Sequence, residues 1–308
     1  SHLGMKILYH LLNSVDDIYC ERVFAPWVDM EEKMRENNIP LFSLETMSPV
    51  SDFDFIGFTL QYEMSYSNIV NMLKLANVAP KSCDRKEGDP FVCFGGPCAY
   101  SSEAIADFAD FYMLGEGEEV MIEVMDAYRE WKKRGGTRFE FLKEISQIGG
   151  IYVPSFYEIS YNDDGTVKAI DTKYDFVPKT VKKRIIADMD KVFYPDRIIV
   201  PFGEIVHDRI MLEMFRGCIR GCRFCQAGMI YRPVREKSKE TLLKQAEALL
   251  KNTGYEEISL SSLSTSDYRD LKDFTTELIK LTEKNKVNLS LPSLRLDSFS
   301  FDLMEKVQ

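Results

Sequence analysis

Residues 216–225 read Arg-Gly-Cys-Ile-Arg-Gly-Cys-Arg-Phe-Cys, which places Cys218, Cys222 and Cys225 in a C-x3-C-x2-C pattern. Three thiolates so close in sequence can converge on one metal centre, because thiolate is a soft anionic ligand. The glycines let the backbone fold tightly around that centre. A structural zinc site normally takes four protein ligands, whereas three thiolates on a cubane iron–sulfur cluster leave one iron open. The pattern therefore favours the cluster, and a zinc site completed by a residue such as His207 is the alternative.

The three cysteines, with Phe224 directly before the last of them, resemble the signature of the radical S-adenosylmethionine (SAM) superfamily. The resemblance implies a 4Fe-4S cluster on Cys218, Cys222 and Cys225, with SAM chelated to the open iron. It also implies that one electron from a flavodoxin or ferredoxin type of donor cleaves SAM to a 5′-deoxyadenosyl radical. Phe224 would lie against the SAM adenine.

The composition is that of an ordinary soluble protein with room for two domains. Of the 308 residues, 45% are hydrophobic and 29% are charged. A net charge of −10 argues against general nucleic-acid coating. The start lacks the pattern of a secretory signal, and no apolar run is long enough to span a bilayer. Seven cysteines, of which three form the motif and four are scattered, fit a reducing compartment, so we predict a cytoplasmic protein that does not act at a membrane.

Residues 1–147 alternate between helical and strand patterns. Helices are predicted over 1–13, 27–37, 65–77, 103–108, 119–133 and 139–148, and strands over 18–24, 41–44, 53–60, 91–94 and 111–114. Alternation of this kind indicates an α/β domain with a parallel sheet covered on both faces. Ligands of such sheets bind at the carboxyl ends of the strands.

The turns at these strand ends resemble a cobalamin-binding domain, a Rossmann-like fold that precedes many radical SAM domains. The resemblance assigns cobalamin contacts to three strand ends: Gln61 and Tyr62; Gly95, Gly96 and Pro97; and Gly115, Glu116 and Gly117. One departure is that the sequence lacks the D-x-H-x-x-G motif that supplies a cobalt ligand. Either cobalamin binds without a histidine ligand, or the domain no longer binds it.

A β-rich connector is predicted over 148–206, with a hairpin around the Asn-Asp-Asp-Gly turn at 162–165. Residues 207–308 then show strands over 209–216, 257–261 and 287–291 and helices over 240–251, 268–284 and 301–308. They resemble the first half of the partial (β/α)6 barrel of radical SAM proteins. The helix at 1–13 resembles the helix that follows the first strand in one group of radical SAM proteins, and residues 207–308 supply only part of the barrel. We therefore expect the sequence to be cut at both ends.

Partners for SAM are expected at the ends of the second and third strands of this domain. By resemblance they are Ser261, Ser262, Ser264, Ser293 and Arg295, although a Gly-Gly-Glu turn is common where this chain has serines. Serine hydroxyls and an arginine fork can bind the amino, carboxylate and ribose groups of SAM. Four further arginines flank the cysteines: Arg220, Arg223, Arg232 and Arg235. They could raise the cluster potential, hold a phosphate, or face water.

The sequence thus predicts a radical SAM enzyme of unknown substrate, with methyl transfer the expected reaction if cobalamin is bound. One alternative is a methylthiolation-like enzyme that modifies RNA and has a degenerate first domain. Between residues 162 and 240, 16 Lys and Arg residues exceed 12 Asp and Glu residues. This excess would form a solvated surface or, as the alternative, face a phosphate-bearing substrate. The alternative from another class is a zinc-stabilised nucleic-acid-binding module.

Overall fold

The computed structural model describes residues 2–203 and 205–295. Its contacts divide the chain into two compact units. One is Asp16–Ile185, and the other joins Ser1–Val15 to Ile186–Gln308 as far as they are described. The predicted domain bounds at 147 and 206 stay predictions.

Apart from the predicted strands at 18–24 and 41–44 and the predicted helix at 103–108, which is part of a 3-10 helix over Pro97–Phe108, the helices and strands follow the predicted alternation. The α-helices are α1 Leu3–Leu12, α2 Val28–Glu36, α3 Tyr66–Leu75, α4 Gly117–Arg134, α5 Arg138–Ile145, α6 Ala227–Ile230, α7 Lys239–Thr253 and α8 Leu271–Asn285. The strands are β1 Phe55–Thr59, β2 Phe91–Gly95, β3 Phe111–Met113, β4 Ile151–Tyr152, β5 Tyr157–Tyr161, β6 Val167–Thr172, β7 Ile210–Glu213, β8 Phe215–Arg216, β9 Arg235–Glu236, β10 Glu257–Ser261 and β11 Asn288–Ser290. The predicted helix at 301–308 lies outside the described residues.

The unit Asp16–Ile185 is built on a sheet of order β1-β2-β3-β4. Strands β1, β2 and β3 are parallel, as predicted. Strand β4 was not predicted; it pairs antiparallel with β3, setting Tyr152 opposite Tyr112. Because two buried residues after Gly149 and Gly150 carry too little periodicity to be recognised, the sequence alone placed them in the connector. The β5–β6 hairpin is confirmed.

Two predicted strands in this unit are wrong. Residues 18–24 form no ladder, and their main chain meets residues 41–44 through the Leu44 N–H bond to the Arg22 carbonyl at 2.9 Å. Residues 41–44 hold a single bridge, between Phe42 and Pro49. The alternation in 18–24 did not mark a buried face, because Tyr19 is 84% exposed. Apolar residues that face solvent do not hold a strand in a sheet.

A buried ionic cluster lies at the amino ends of β2 and β3. The Asp110 carboxylate accepts hydrogen bonds from Arg85 at 2.8 Å, from Arg138 at 3.0 Å and from the Val92 N–H at 2.7 Å. All three charged residues are buried. The cluster lies at the strand ends opposite the predicted ligand turns, and removing one of its partners would leave a buried charge without compensation.

The other unit contains a parallel sheet of order β11-β10-β7, with α7 and α8 as the connections. Its core is formed by side chains from the strands and both helices, among them Leu212, Leu242, Leu260 and Phe274. The predicted β/α order is therefore confirmed. Within the described residues the three strands do not close into a barrel.

In the described part of the chain, each helix is too short or too polar to cross a bilayer.

Candidate functional site

The cysteine segment leaves the carboxyl end of β7 and is closed at its base by a short ladder. Strands β8 and β9 pair antiparallel, with Phe215 opposite Glu236 and Arg216 opposite Arg235. Above this ladder the Cys218 N–H donates to the Tyr231 carbonyl at 3.2 Å. We call residues 217–234 the cysteine loop; the ladder fixes where it starts and ends.

Glycine is required where the cysteine loop leaves the ladder. Gly217 has a φ of +101°, and a Cβ there would lie 2.2 Å from the Pro233 carbonyl oxygen and 2.6 Å from that of Tyr231. Both approaches are far inside van der Waals contact. Gly228 of α6 also lies close to Gly221: a Cβ added at Gly228 would lie 3.2 Å from the Gly221 nitrogen. These glycines allow the loop to fold back on itself.

The three cysteines are free thiols on this loop. Cys218 is half-buried, Cys222 and Cys225 are exposed, and the Cys225 N–H donates to the Cys222 carbonyl at 3.0 Å. Within residues 2–203 and 205–295, no three Cys, His, Asp or Glu side chains are gathered into a preformed metal cage. The donor set nevertheless fits an iron–sulfur cluster, because accessible unpaired thiols on one glycine-bent loop are the ligands such a cluster takes. Phe224 is 94% exposed and so is no core residue.

A buried charge cluster supports the base of the loop. The Glu213 carboxylate accepts from Arg216 at 2.9 and 3.0 Å and lies 3.6 Å from the Lys237 ammonium. Lys237 is 1% exposed, and its ammonium also lies 3.3 Å from the Gln245 side-chain oxygen. Burial raises the pKa of the Glu213 carboxyl, but Arg216 and Lys237 outweigh burial and hold it below its ordinary value. Sequence reasoning missed this cluster because a lysine in a polar stretch gives no sign of burial.

The predicted SAM-binding residues lie at the carboxyl ends of β10 and β11, which form one edge of the β11-β10-β7 sheet. The Thr265 N–H donates to the Ser293 carbonyl at 3.1 Å, and the Arg295 N–H donates to the Ser266 hydroxyl at 3.3 Å. These bonds join the segments that follow β10 and β11. The edge thereby brings together the predicted residues Ser261, Ser262, Ser264, Ser293 and Arg295. Of these, Ser264 is buried and Ser293 is exposed.

An ion pair links the cysteine loop to this edge. Arg220 donates to Asp267 with two nitrogens, and the Nε bond is 2.8 Å long. The charge and hydrogen bonds of Arg220 hold the pKa of the Asp267 carboxyl below its ordinary value. Arg232 and Arg235 also bond to main-chain carbonyls, of Gly228 and Ile186. Three of the four flanking arginines therefore have partners on the protein.

The predicted cobalamin contacts belong to the unit Asp16–Ile185, and two of the three strand ends come together there. The Leu60 N–H donates to the Gly95 carbonyl at 2.6 Å, and the Cys98 N–H donates to the Leu60 carbonyl at 2.9 Å. Gly96 has a φ of +95°, and a Cβ there would lie 3.0 Å from the Gln61 side-chain nitrogen. Gln61 is exposed and Tyr62 is 61% exposed, so the edge beside Gly95, Gly96 and Pro97 is open to a ligand.

The third strand end is different, because another part of the chain lies on it. The Glu116 N–H donates to the Arg184 carbonyl at 3.1 Å, and the Arg184 N–H donates to the Leu114 carbonyl at 2.7 Å. Gly115 and Glu116 thus meet the connector. The first two strand ends are open at their carboxyl side, whereas Arg184 lies on the third; the assignment of all three to cobalamin stays a prediction.

Fold and site together define an α/β protein that carries a three-cysteine loop at the carboxyl edge of a parallel sheet. The family described as "Radical SAM proteins, N-terminal" matches residues 4–154, and "Radical SAM superfamily" matches residues 212–308. The two matches span most of the sequence. The chain belongs to the radical SAM superfamily, which confirms the predicted family.

Two curated relatives come from Methanocaldococcus jannaschii. The chain is 28% identical over 280 residues to an uncharacterised protein, an alignment that covers 88% of this chain and 51% of the relative. It is 27% identical over 106 residues to a putative methylthiotransferase, covering 32% of this chain and 23% of the relative. The chain therefore spans at most about half the length of these relatives.

Solved structures share the fold. The radical SAM methyltransferase TsrM from Kitasatospora setae, solved with its tryptophan substrate and a SAM analogue, has a TM-score of 0.55 and 14% identity, over 100% of this chain and 55% of that one. The cobalamin-dependent SAM radical enzyme OxsB, solved with aqua-cobalamin and SAM, has a TM-score of 0.54 and 14% identity, over 94% of this chain and 36% of that one. The predicted fold class is thereby confirmed, while the roles of individual site residues stay predictions.

Proposed function

We propose that this chain is the catalytic part of a radical SAM enzyme that acts through a 4Fe-4S cluster on Cys218, Cys222 and Cys225. The observation that carries the proposal is the position of the cysteine loop. Three free thiols stand at the carboxyl end of β7, and Arg220 ties their loop to Asp267 at the end of β10.

The residues around the loop would bind SAM. Ser261, Ser262, Ser264 and Ser293 supply hydroxyl and main-chain groups for its polar atoms, and Arg295 supplies a cation for its carboxylate. Phe224, exposed beside Cys225, would cover the adenine. When bound, the cluster and SAM would supply a 5′-deoxyadenosyl radical that abstracts hydrogen from carbon. The exposure of Cys222 and Cys225 suits an electron donor of the flavodoxin or ferredoxin type.

Cobalamin-dependent methyl transfer is the reaction we propose, on a substrate still to be identified. Its support is the fold shared with TsrM and OxsB, together with the open edge at the ends of β1 and β2. Gln61, Tyr62, Gly95, Gly96 and Pro97 would hold the cofactor there.

A second candidate is methylthio transfer to RNA without cobalamin. The resemblance over 106 residues to a putative methylthiotransferase favours it. The two candidates differ in whether the protein, purified from cells supplied with cobalamin, carries corrinoid absorbance.

The test is anaerobic iron–sulfur reconstitution of the wild type, Cys222→Ala and the control Cys83→Ala, which removes an exposed thiol outside the motif. We expect about four irons per wild-type chain and formation of 5′-deoxyadenosine from SAM and dithionite. Cys222→Ala should lose the cluster absorbance, and Cys83→Ala should keep it. A colourless wild type that holds one zinc would overturn the proposal in favour of the zinc-binding alternative.

A further inference from the structure

The third strand end of the unit Asp16–Ile185 is occupied by the chain's own connector. Arg184 lies beside Gly115 in a parallel bridge, donating its N–H to the Leu114 carbonyl at 2.7 Å. Its own carbonyl accepts the Glu116 N–H at 3.1 Å. We call this pair of main-chain bonds the Arg184 clasp. The Glu116 N–H thus already has an acceptor within the chain.

The glycine at this turn is explained by the clasp. Gly115 has a φ of +109°, and a Cβ there would lie 2.1 Å from the Arg184 carbonyl oxygen and 2.6 Å from the Arg184 nitrogen. A Cβ added at Gly150 would likewise lie close to this residue, 3.2 Å from the Arg184 Cβ. Both glycines make room for a backbone of this chain, so the turn needs no ligand to account for its sequence.

The Arg184 side chain adds a second attachment. Its guanidinium pairs with Glu119 at 3.0 Å and with Glu123, one turn further along α4. This ion pair attaches the connector to the first turns of α4. An arginine fork between two carboxylates one helical turn apart is specific in geometry.

We propose that the Gly-Glu-Gly turn at 115–117 is the receptor for the connector, and that a corrinoid is held by the ends of β1 and β2 alone. The first half of this inference stands on the described contacts, and the second half rests on the proposed function. It reassigns Gly115, Glu116 and Gly117 from cofactor binding to positioning of the connector, and it makes Arg184 a positioning residue.

The clasp is tested with Gly115→Ala against Gly135→Ala. Both put alanine at a positive φ, but a Cβ at Gly135 has open space, whereas one at Gly115 collides with Arg184. Because opening removes two hydrogen bonds, trypsin should cut after Lys182, Lys183 or Arg184 about tenfold faster in Gly115→Ala than in the control. Equal cleavage at these bonds would overturn the clasp.

A measurement on the wild type covers the case in which Gly115→Ala does not fold. The amide protons of Arg184 and Glu116 should exchange with solvent as slowly as those of β3, because both are donors in the clasp. Exchange as fast as that of the exposed turn residue Asp163 would overturn the proposal.

Binding of hydroxocobalamin, followed by equilibrium dialysis, tests the second half. Gly115→Ala should bind within about twofold of Gly135→Ala, as for changes away from a site. Gly96→Ala, which collides at the ends of β1 and β2, should bind at least about tenfold more weakly. A folded Gly115→Ala that alone loses cobalamin would overturn the reassignment. If the wild type binds none, the cofactor part of the proposed function and this half both fail, while the trypsin comparison still decides the clasp.

Discussion

Arg220 and Asp267, 47 residues apart, form a two-point ion pair that joins the cysteine loop to the turn after β10. The loop carries the proposed cluster ligands, and the turn carries proposed SAM-binding serines. The pair therefore sets the spacing between two halves of one candidate site.

Asp267→Asn should weaken this link while leaving the cluster in place. An amide still accepts a hydrogen bond but loses the charge that orients the guanidinium. We expect a KM for SAM several-fold higher at nearly unchanged iron content, measured by 5′-deoxyadenosine formation and iron analysis. Asp273→Asn is the control, because its partner Lys239 lies outside the loop. An equal change of KM in both variants would contradict the prediction.

The pH dependence of this link follows from the direction of the pKa shift. The pKa of the Asp267 carboxyl is lower in the fold than its ordinary value, so the stabilisation is complete above the ordinary pKa. It is lost only as pH falls through the lowered value. SAM binding, measured by calorimetry, should thus show no step from Asp267 between about pH 5 and 8. A step in that window that disappears in Asp267→Asn would count against this assignment.

The charge cluster under the loop predicts a stability defect. Glu213→Gln would leave the buried Lys237 ammonium without its carboxylate, at a cost of about 3 kcal/mol. Urea unfolding should show this loss, whereas Glu256→Gln, an exposed carboxylate in the same unit, should change stability by less than about 0.5 kcal/mol. Equal midpoints in the two variants would show that the cluster contributes no net stability.

Sequence patterns predicted those parts of the fold that depend on neighbours along the chain. The helices α3, α4, α7 and α8 and the cysteine loop follow from local periodicity or a local motif. The contacts of Arg220 with Asp267 and of Arg184 with Gly115 join residues far apart in sequence, so no local pattern announces them. The strand predicted at 18–24 is wrong for a related reason: a local pattern of apolar residues does not show whether other parts of the chain will cover them.

Asp110 offers an independent test in the unit Asp16–Ile185. Asp110→Asn removes the charge between the buried Arg85 and Arg138 and should lower the free energy of unfolding by about 3 kcal/mol. Asp107→Asn, at an exposed position nearby, is the control. Because the cluster lies at the amino ends of the strands, cobalamin affinity of the folded variant should not change. A selective loss of affinity would instead indicate that cobalamin binds at the amino ends of the strands, contrary to the prediction.

Gly217→Ala tests the geometry of the cysteine loop without touching a ligand. The added methyl group would collide with the Pro233 and Tyr231 carbonyls and break the bond from the Cys218 N–H, so the three thiols should no longer reach one cluster. Iron content after reconstitution should fall to less than about half of wild type, since cluster ligation requires all three thiolates together. Gly254→Ala is the matched control, because Gly254 also has a positive φ but a Cβ there meets open space. A Gly217→Ala protein that folds and binds a full complement of iron would mean that the loop rearranges around the cluster, and that the ladder of β8 and β9 does not determine the ligand geometry.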